Sequence, residues 1–211
     1  RLSQLVSFEG LKLAAGVVLL SPFIPLLFMG EEYGEIAPFP YFISHSDAEL
    51  IEAVRRGRRE EFAAFQWQGE IPDPQDEATF LRAKLNLDVR HKDRHKVLLM
   101  FYRELIRLRR DVPALKRLDK KTIEVIGNER EKVLIARRWS GGDEAFAIFN
   151  FNDAQMSVAP PVHDGRWRKR LDSAQERWQG GGSSLPRELD AEEREPMRVN
   201  PKAFVLFTRE K

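Results

Sequence analysis

Near Leu118 the spacing of apolar residues changes, and that change limits the chain to a small set of folds. Before it, Val97, Phe101, Leu105 and Leu108 recur at steps of three and four, the spacing of one face of an α-helix. After it the step becomes two. Ile123 and Val125 alternate, and Val133, Ile135, Arg137 and Trp139 interleave with Leu134, Ala136 and Arg138. Residues 145–151 (AFAIFNF) and 203–207 (AFVLF) read the same way, with turn signals at Asn128 and at 140–143 (SGGD). Helices followed by a run of antiparallel strands predict an α+β chain whose last ninety or so residues form a sheet sandwich.

Upstream, residues 8–20 are rich in Leu, Ala and Val and stop at Ser21-Pro22, as a buried helix does before proline. Residues 24–29 follow as a short run apolar on both faces, which predicts a buried parallel strand. The apolar stretch 11–29 is interrupted by Lys12, Ser21, Pro22 and Pro25, so it predicts two core elements and no membrane span. Glu9 just before the run, with no A-x-A-like site after it, argues against a signal peptide. Residues 47–65 predict an exposed amphipathic helix capped by Asp47, with Leu50, Ile51, Val54, Phe62 and Phe65 as its stripe. Residues 69–75 predict a loop and 76–85 a short helix. Asp93 is placed to cap a helix over 94–110, which Val112-Pro113 ends, and 179–184 (QGGGSS) predict a mobile loop.

Charge and cysteine content narrow the function classes. With 35 basic and 33 acidic side chains the net charge is +2, which implies no nucleic-acid partner. The arginines at 55–59 lie among Glu52, Glu60 and Glu61 and read as a salt-bridged solvent face. The absence of cysteine removes disulfides and thiolate metal sites, and suits a cytoplasmic protein. His91 and His95 are one helical turn apart, yet their neighbours suit a helix start better than a metal site. Trp67, Trp139, Trp167 and Trp178 read as core and edge packing before a glycan-binding face. Gly180–Gly182 lacks the strand-before, helix-after setting of a phosphate loop. No metal and no cofactor is expected.

The residues that carry chemistry follow the apolar run. It ends in Gly30 and the carboxylates Glu31 and Glu32, then Tyr33, Phe39, Tyr41, Phe42, His45 and Asp47. Barrel enzymes place functional groups at the C-terminal ends of their strands. The aromatic rings offer flat faces for sugar rings, and His45 and Asp47 offer hydrogen bonds to hydroxyls. Other roles stand beside these. Adjacent Glu31 and Glu32 point to different sides if extended, so at most one faces a pocket. The aromatic cluster also reads as satellite core, and Asp47 as a helix cap.

Three stretches resemble the α-amylase superfamily of glycoside hydrolases, most closely the maltooligosyltrehalose trehalohydrolases. Residues 9–34 (EGLKLAAGVVLLSPFIPLLFMGEEYG) resemble the helix leading into the eighth barrel strand and that strand. FLRAKLN at 80–86 and LLMFYRELIRLRRDVPAL at 98–115 resemble the closing barrel helices, and the last ninety residues resemble the C-terminal β domain. The resemblance implies that residues 1–118 are the C-terminal portion of a (β/α)8 barrel, its helices and last strand, and residues 119–211 an antiparallel β-sandwich domain. It implies a retaining hydrolase of α-glucans that releases trehalose from maltooligosyl trehalose with water and no organic cofactor. The family's nucleophile, acid/base and third carboxylate would all precede Arg1, so no catalytic residue maps onto this chain and the chain alone is expected to be inactive. Glu31, Glu32, Tyr33, Phe39, Tyr41, Phe42, His45 and Asp47 are the implied substrate-binding residues. Where the family often carries an Asp-His pair, this chain reads Ser44-His45-Ser46-Asp47. A glycogen-branching or debranching enzyme, or a stand-alone carbohydrate-binding or interaction module, are the alternatives. Without its barrel neighbours the 24–29 strand is expected to be covered by self-association, rearrangement or preceding chain.

Overall fold

The helix expected over residues 8–20 is Phe8–Leu20 (α1) in the computed structural model, and Ser7 caps it by accepting from the Gly10 N–H at 3.1 Å. The structure describes residues 1–64, 71–162, 164–190 and 195–210. Phe65, Trp67 and the start of the loop expected at 69–75 therefore lie outside the described residues. The remaining helices are Ala48–Ala64 (α2), Glu77–Ala83 (α3), Asp93–Asp111 (α4) and Pro113–Lys116 (α5). Eight strands follow among the described residues: Ile123–Asn128 (β1), Val133–Ser140 (β2), Asp143–Asn150 (β3), Met156–Val158 (β4), Arg166–Asp172 (β5), Glu188–Asp190 (β6), Met197–Val199 (β7) and Ala203–Arg209 (β8). None of the helices among the described residues is long and apolar enough to cross a membrane.

Two compact units result. One is Glu35–Asp88 with Arg1; the other is Leu2–Gly34 with Val89–Lys211. In the larger unit, β1, β2, β3, β8, β5 and β6 form one antiparallel sheet in that order, and β4 pairs with β7 as a separate two-stranded ribbon. The two-residue period decides which core each side chain joins. Ala145, Ala147 and Phe149 of β3, with Phe204 and Leu206 of β8, pack among α1, α4 and α5. Phe146, Ile148, Val205 and Phe207 face the other way and pack with Val158, Met197 and Val199 of the ribbon. Each fully buried Phe is worth roughly 1.5–3 kcal/mol against exposure. Helices and sheet thus share one core, and sheet and ribbon another. Gly16 lets α1 approach: a Cβ there would lie 2.4 Å from the Phe204 ring.

Three expectations need correction. Residues 24–28 form no strand, because no other described strand pairs with them, and a single extended segment has no ladder. Ile24 and Leu26 are 83% and 90% exposed. Asp93 does not cap α4. It is the first helical residue, with φ of 39°, and the cap position is held by Lys92 without a side-chain bond. The 179–184 loop is pinned rather than loose: Gly182 N–H donates to Ala174 O (2.9 Å), the Asn200 side chain donates to Gly182 O (2.6 Å), and Ser183 donates to Asp172.

The smaller unit holds α2 and α3. Asp47 accepts from Leu50 N–H (3.0 Å), the cap its sequence suggests, and Asp76 caps α3 by accepting from Ala78 N–H (2.9 Å). Arg55 pairs with Asp73 (2.7 Å) and Glu52, and Arg58 with Glu61, the salt-bridged face expected of the arginine run. The Arg55 side chain is the main reason the Asp73 carboxyl titrates below its ordinary range.

Candidate functional site

The eight expected site residues divide between the two units, three in the larger and five in the smaller. In the larger unit they form a strapped turn. Gly30 (φ 83°) and Gly34 (φ 70°) take left-handed conformations on either side of the 3-10 turn Glu31–Tyr33. At Gly34 space is short as well, since a Cβ would meet Leu98 at 3.2 Å. Glu31 N–H donates to Phe28 O (2.8 Å), and the Glu31 carboxylate accepts from Phe28 N–H (3.0 Å).

Helix α4 holds this turn from behind. The Tyr102 hydroxyl donates to Glu31 at 3.0 Å, and His95 Nδ1 lies 2.8 Å from Tyr33 O. Burial, followed by the Glu31 charge, pushes the Tyr102 hydroxyl well above the usual phenol range, so it stays a donor at any working pH. Glu31 is therefore engaged in shaping the turn. Tyr33 is 2% exposed and belongs to the core. Glu32 is half-buried, with no hydrogen bond or ion pair among the described residues. The pair lies in a 3-10 turn rather than an extended strand, so the alternation of an extended chain does not choose between the two carboxylates.

In the smaller unit, Phe42 meets Phe39 edge-on at 6.2 Å and Phe80 of α3 at 5.2 Å. Phe39 and Tyr41 are 48% and 50% exposed. Arg58 of α2 lies over the Tyr41 ring at 5.0 Å and the Phe62 ring at 4.7 Å. Gln75 brackets the backbone of His45, accepting from its N–H (3.2 Å) and donating to its C=O (3.0 Å). Asp47 is engaged as the cap of α2. Glu35, which the sequence reading passed over, is 1% exposed, and its carboxylate accepts from Ile36 (2.8 Å), Ala37 (2.9 Å) and Asn86 (2.6 Å) N–H groups. A glutamate one residue after a glycine at the end of an apolar run carries no signal for such a role. Its partner Asn86 is 51 residues away.

Of the two histidines at helical spacing, His95 faces Tyr33 O, while His91 Nε2 accepts from Arg90 (3.0 Å). Among the described residues no group of three or more His, Asp or Glu is arranged to hold a metal ion.

No family model matches the chain. It is 41% identical to the malto-oligosyltrehalose trehalohydrolase of Rhizobium sp. (strain M-11) over 162 residues, 76% of this chain and 26% of that protein. With the malto-oligosyltrehalose trehalohydrolase of Arthrobacter ramosus it shares 44% over 166 residues, 78% of this chain and 26% of that one. The chain thus spans about a quarter of the length of the curated relatives it matches. Among solved structures, a Salmonella typhimurium protein with a provisional α-amylase description superposes with a TM-score of 0.75 at 28% identity, over 100% of this chain and 32% of that one. The α-amylase from H. orenii shares the fold, with a TM-score of 0.58 at 18% identity over 97% of this chain and 36% of that one. The chain is homologous to the malto-oligosyltrehalose trehalohydrolases and related α-amylase-superfamily enzymes, and it matches a C-terminal portion of them.

Proposed function

We propose that this chain is the C-terminal part of a retaining glycoside hydrolase of the α-amylase superfamily that acts on α-glucans in the cytoplasm and releases trehalose from maltooligosyl trehalose. The observation that carries this reading is identity of 41–44% over more than 160 residues with proteins of that name. In this reading residues 1–118 are the end of the barrel and 119–211 its β domain. The catalytic nucleophile and acid/base lie in barrel strands outside this chain. Glu32, Phe39, Tyr41, Phe42 and His45 are the candidate contacts to the glucan. Glu31, Tyr33 and Asp47 shape the segments that carry those contacts. Support for that division comes from the engaged state of these three and the exposure of Phe39 and Tyr41.

Two proteins test it: this chain, and the same chain extended by the coding sequence upstream of Arg1. With maltooligosyl trehalose the extended protein should release trehalose and the chain alone should not. Tyr41→Ala in the extended protein should raise KM more than it lowers kcat, because ring stacking is present before and during bond cleavage. Trehalose release by the chain alone, abolished by Glu32→Gln, would place catalytic residues within it and overturn the reading.

A further inference from the structure

A cleft of about 610 Å³ opens against the β5–β6 edge of the sheet, walled by Arg168, Arg170, Arg177 and Arg187. It lies within the range of small-molecule sites, roughly 300–1,000 Å³. Lys169 is also at its wall, but that ammonium is engaged with Leu185 O and Asp172.

Backbone geometry brings the arginines together. β5 pairs with β8 in register up to Lys169↔Phe207 and resumes at Leu171↔Leu206, leaving Arg170 as the extra residue of a bulge. Before the bulge Trp167 packs with the ribbon-side core; after it Leu171 packs with the helix-side core. In an unbroken strand these two residues would share a face. The bulge therefore reverses the strand's facing and projects Arg170 beside Arg168, as bulges near sites re-aim side chains. Arg187 closes the same edge, where its carbonyl accepts from Lys169 N–H at 2.7 Å. Arg177 lies over the Trp178 ring at 4.8 Å while its Nε donates to Gln175 (2.9 Å).

These guanidinium groups are not held in close ion pairs, as several arginines elsewhere in the chain are. Arg55, Arg58, Arg107, Arg110, Arg137 and Arg209 all form ion pairs at 3.1 Å or less. Among the described residues, Arg170, Arg177 and Arg187 have no carboxylate partner, and Arg168 reaches Glu210 only at 4.0 Å. The acids nearby do not neutralise the wall. Glu188 lines the cleft, and Glu104, which acts on Arg170 and Arg177 through space, gives both oxygens to Arg107 at 2.7 and 2.8 Å. Planar donors crowded around a concave surface match the oxygens of a phosphate group.

We propose that this cleft binds a phosphate-bearing small molecule. A long polyanion fits poorly, since the whole chain carries a net charge of only +2 and its other basic run is neutralised by Glu52, Glu61 and Asp73. The proposal does not depend on the glucan assignment.

Calorimetric titration of the purified chain with inorganic phosphate, a hexose monophosphate and uncharged maltotriose tests it. Both phosphates should bind, more weakly as salt is raised, and Arg170→Ala and Arg177→Ala should each weaken binding by about tenfold or more. Arg56→Ala, on the exposed face of α2, should change nothing. Tighter binding of the hexose monophosphate than of phosphate would assign the cleft to a phosphorylated sugar; equal binding would assign it to free phosphate. Circular dichroism of each variant separates lost binding from lost fold, and Arg187→Ala, at an exposed loop position outside both cores, gives a further variant that should weaken binding with the fold intact. Absence of saturable binding at about 10 mM of either phosphate, or binding unchanged in folded Arg170→Ala and Arg177→Ala proteins, would overturn the proposal.

Discussion

Lys12 stands in the middle of an apolar helix, where its charge costs stability and its hydrogen bonds recover part of that cost. It is 1% exposed, and Nζ donates to Ser173 O and Trp178 O, both at 2.9 Å, tying α1 to the turn after β5. Desolvation lowers its pKa from 10.5 to about 8, against the raising influence of Glu9 and Asp172. Below pH 8 the folded and unfolded states both hold the proton, and the folded state bears the whole desolvation cost. Between about pH 8 and 10.5 the folded state releases the proton while the unfolded state keeps it, so stability rises with pH. Relative to Lys12→Met, the wild-type protein should gain about 3 kcal/mol across that window, read by urea unfolding at several pH values. A flat difference would mean that Lys12 reaches water. The sequence places this lysine on an apolar helix but cannot supply its partners, which lie more than 160 residues away. Glu31 is alike: its carboxylate is visible in the sequence, but its engagement by Tyr102, 71 residues on, is not. Asp47 was legible as a cap because it and the N–H it accepts from lie within three residues of each other.

At the scale of elements, the C-terminal end of α1 is closed by two arginines from elsewhere in the chain. Arg138 of β2 donates to Leu20 O (3.0 Å), Ser21 O (3.2 Å) and Arg117 O, and Arg109 of α4 donates to Leu19 O, Ser21 O and Phe23 O. Carbonyls at a helix end lack internal partners and carry the negative end of the dipole, so cations belong there. Arg138 is 2% exposed; desolvation, with Arg109 beside it, lowers its pKa to about 10. Arg138→Gln should cost about 3 kcal/mol, since it strands buried carbonyls that a shorter amide cannot all reach. Arg109→Gln should cost less, because one of its acceptors is exposed. Urea unfolding of both variants gives the ranking, and equal losses would mean that burial is not what sets the cost. Elements with strong apolar alternation (β2, β3 and β8) were legible in the sequence. β5 was not, because RWRKRLD shows the core only Trp167, Leu171 and Asp172 and hides a change of facing at its bulge. The two-stranded ribbon was missed for its brevity, three residues a strand.

Over the whole molecule, helices and sheet of the larger unit are one folding body, though the sequence period changes at Leu118. Leu11, Leu19, Leu98, Phe101 and Leu108 share a cluster with Phe149, Phe204 and Leu206, so cutting between helix and strand would open a core rather than release one. What this body leaves uncovered is a strip of its own backbone. Phe23, Ile24, Leu26, Phe28 and Met29 are 55%, 83%, 90%, 44% and 47% exposed, and residues 24–28 join no ladder among the described residues. An exposed apolar run that lies outside any ladder is a template for another chain. The isolated chain should therefore self-associate as its concentration rises into the range of tens of micromolar, seen as growing mass in light scattering. Ile24→Lys with Leu26→Lys should suppress the association and leave the thermal midpoint nearly unchanged, because neither side chain contributes to either core. Two results would contradict this. A strict monomer at about 100 μM would mean that the strip is harmless in water. Association that persists in the double variant would move the contact elsewhere, to the exposed Val125 and Ile126 of the edge strand β1.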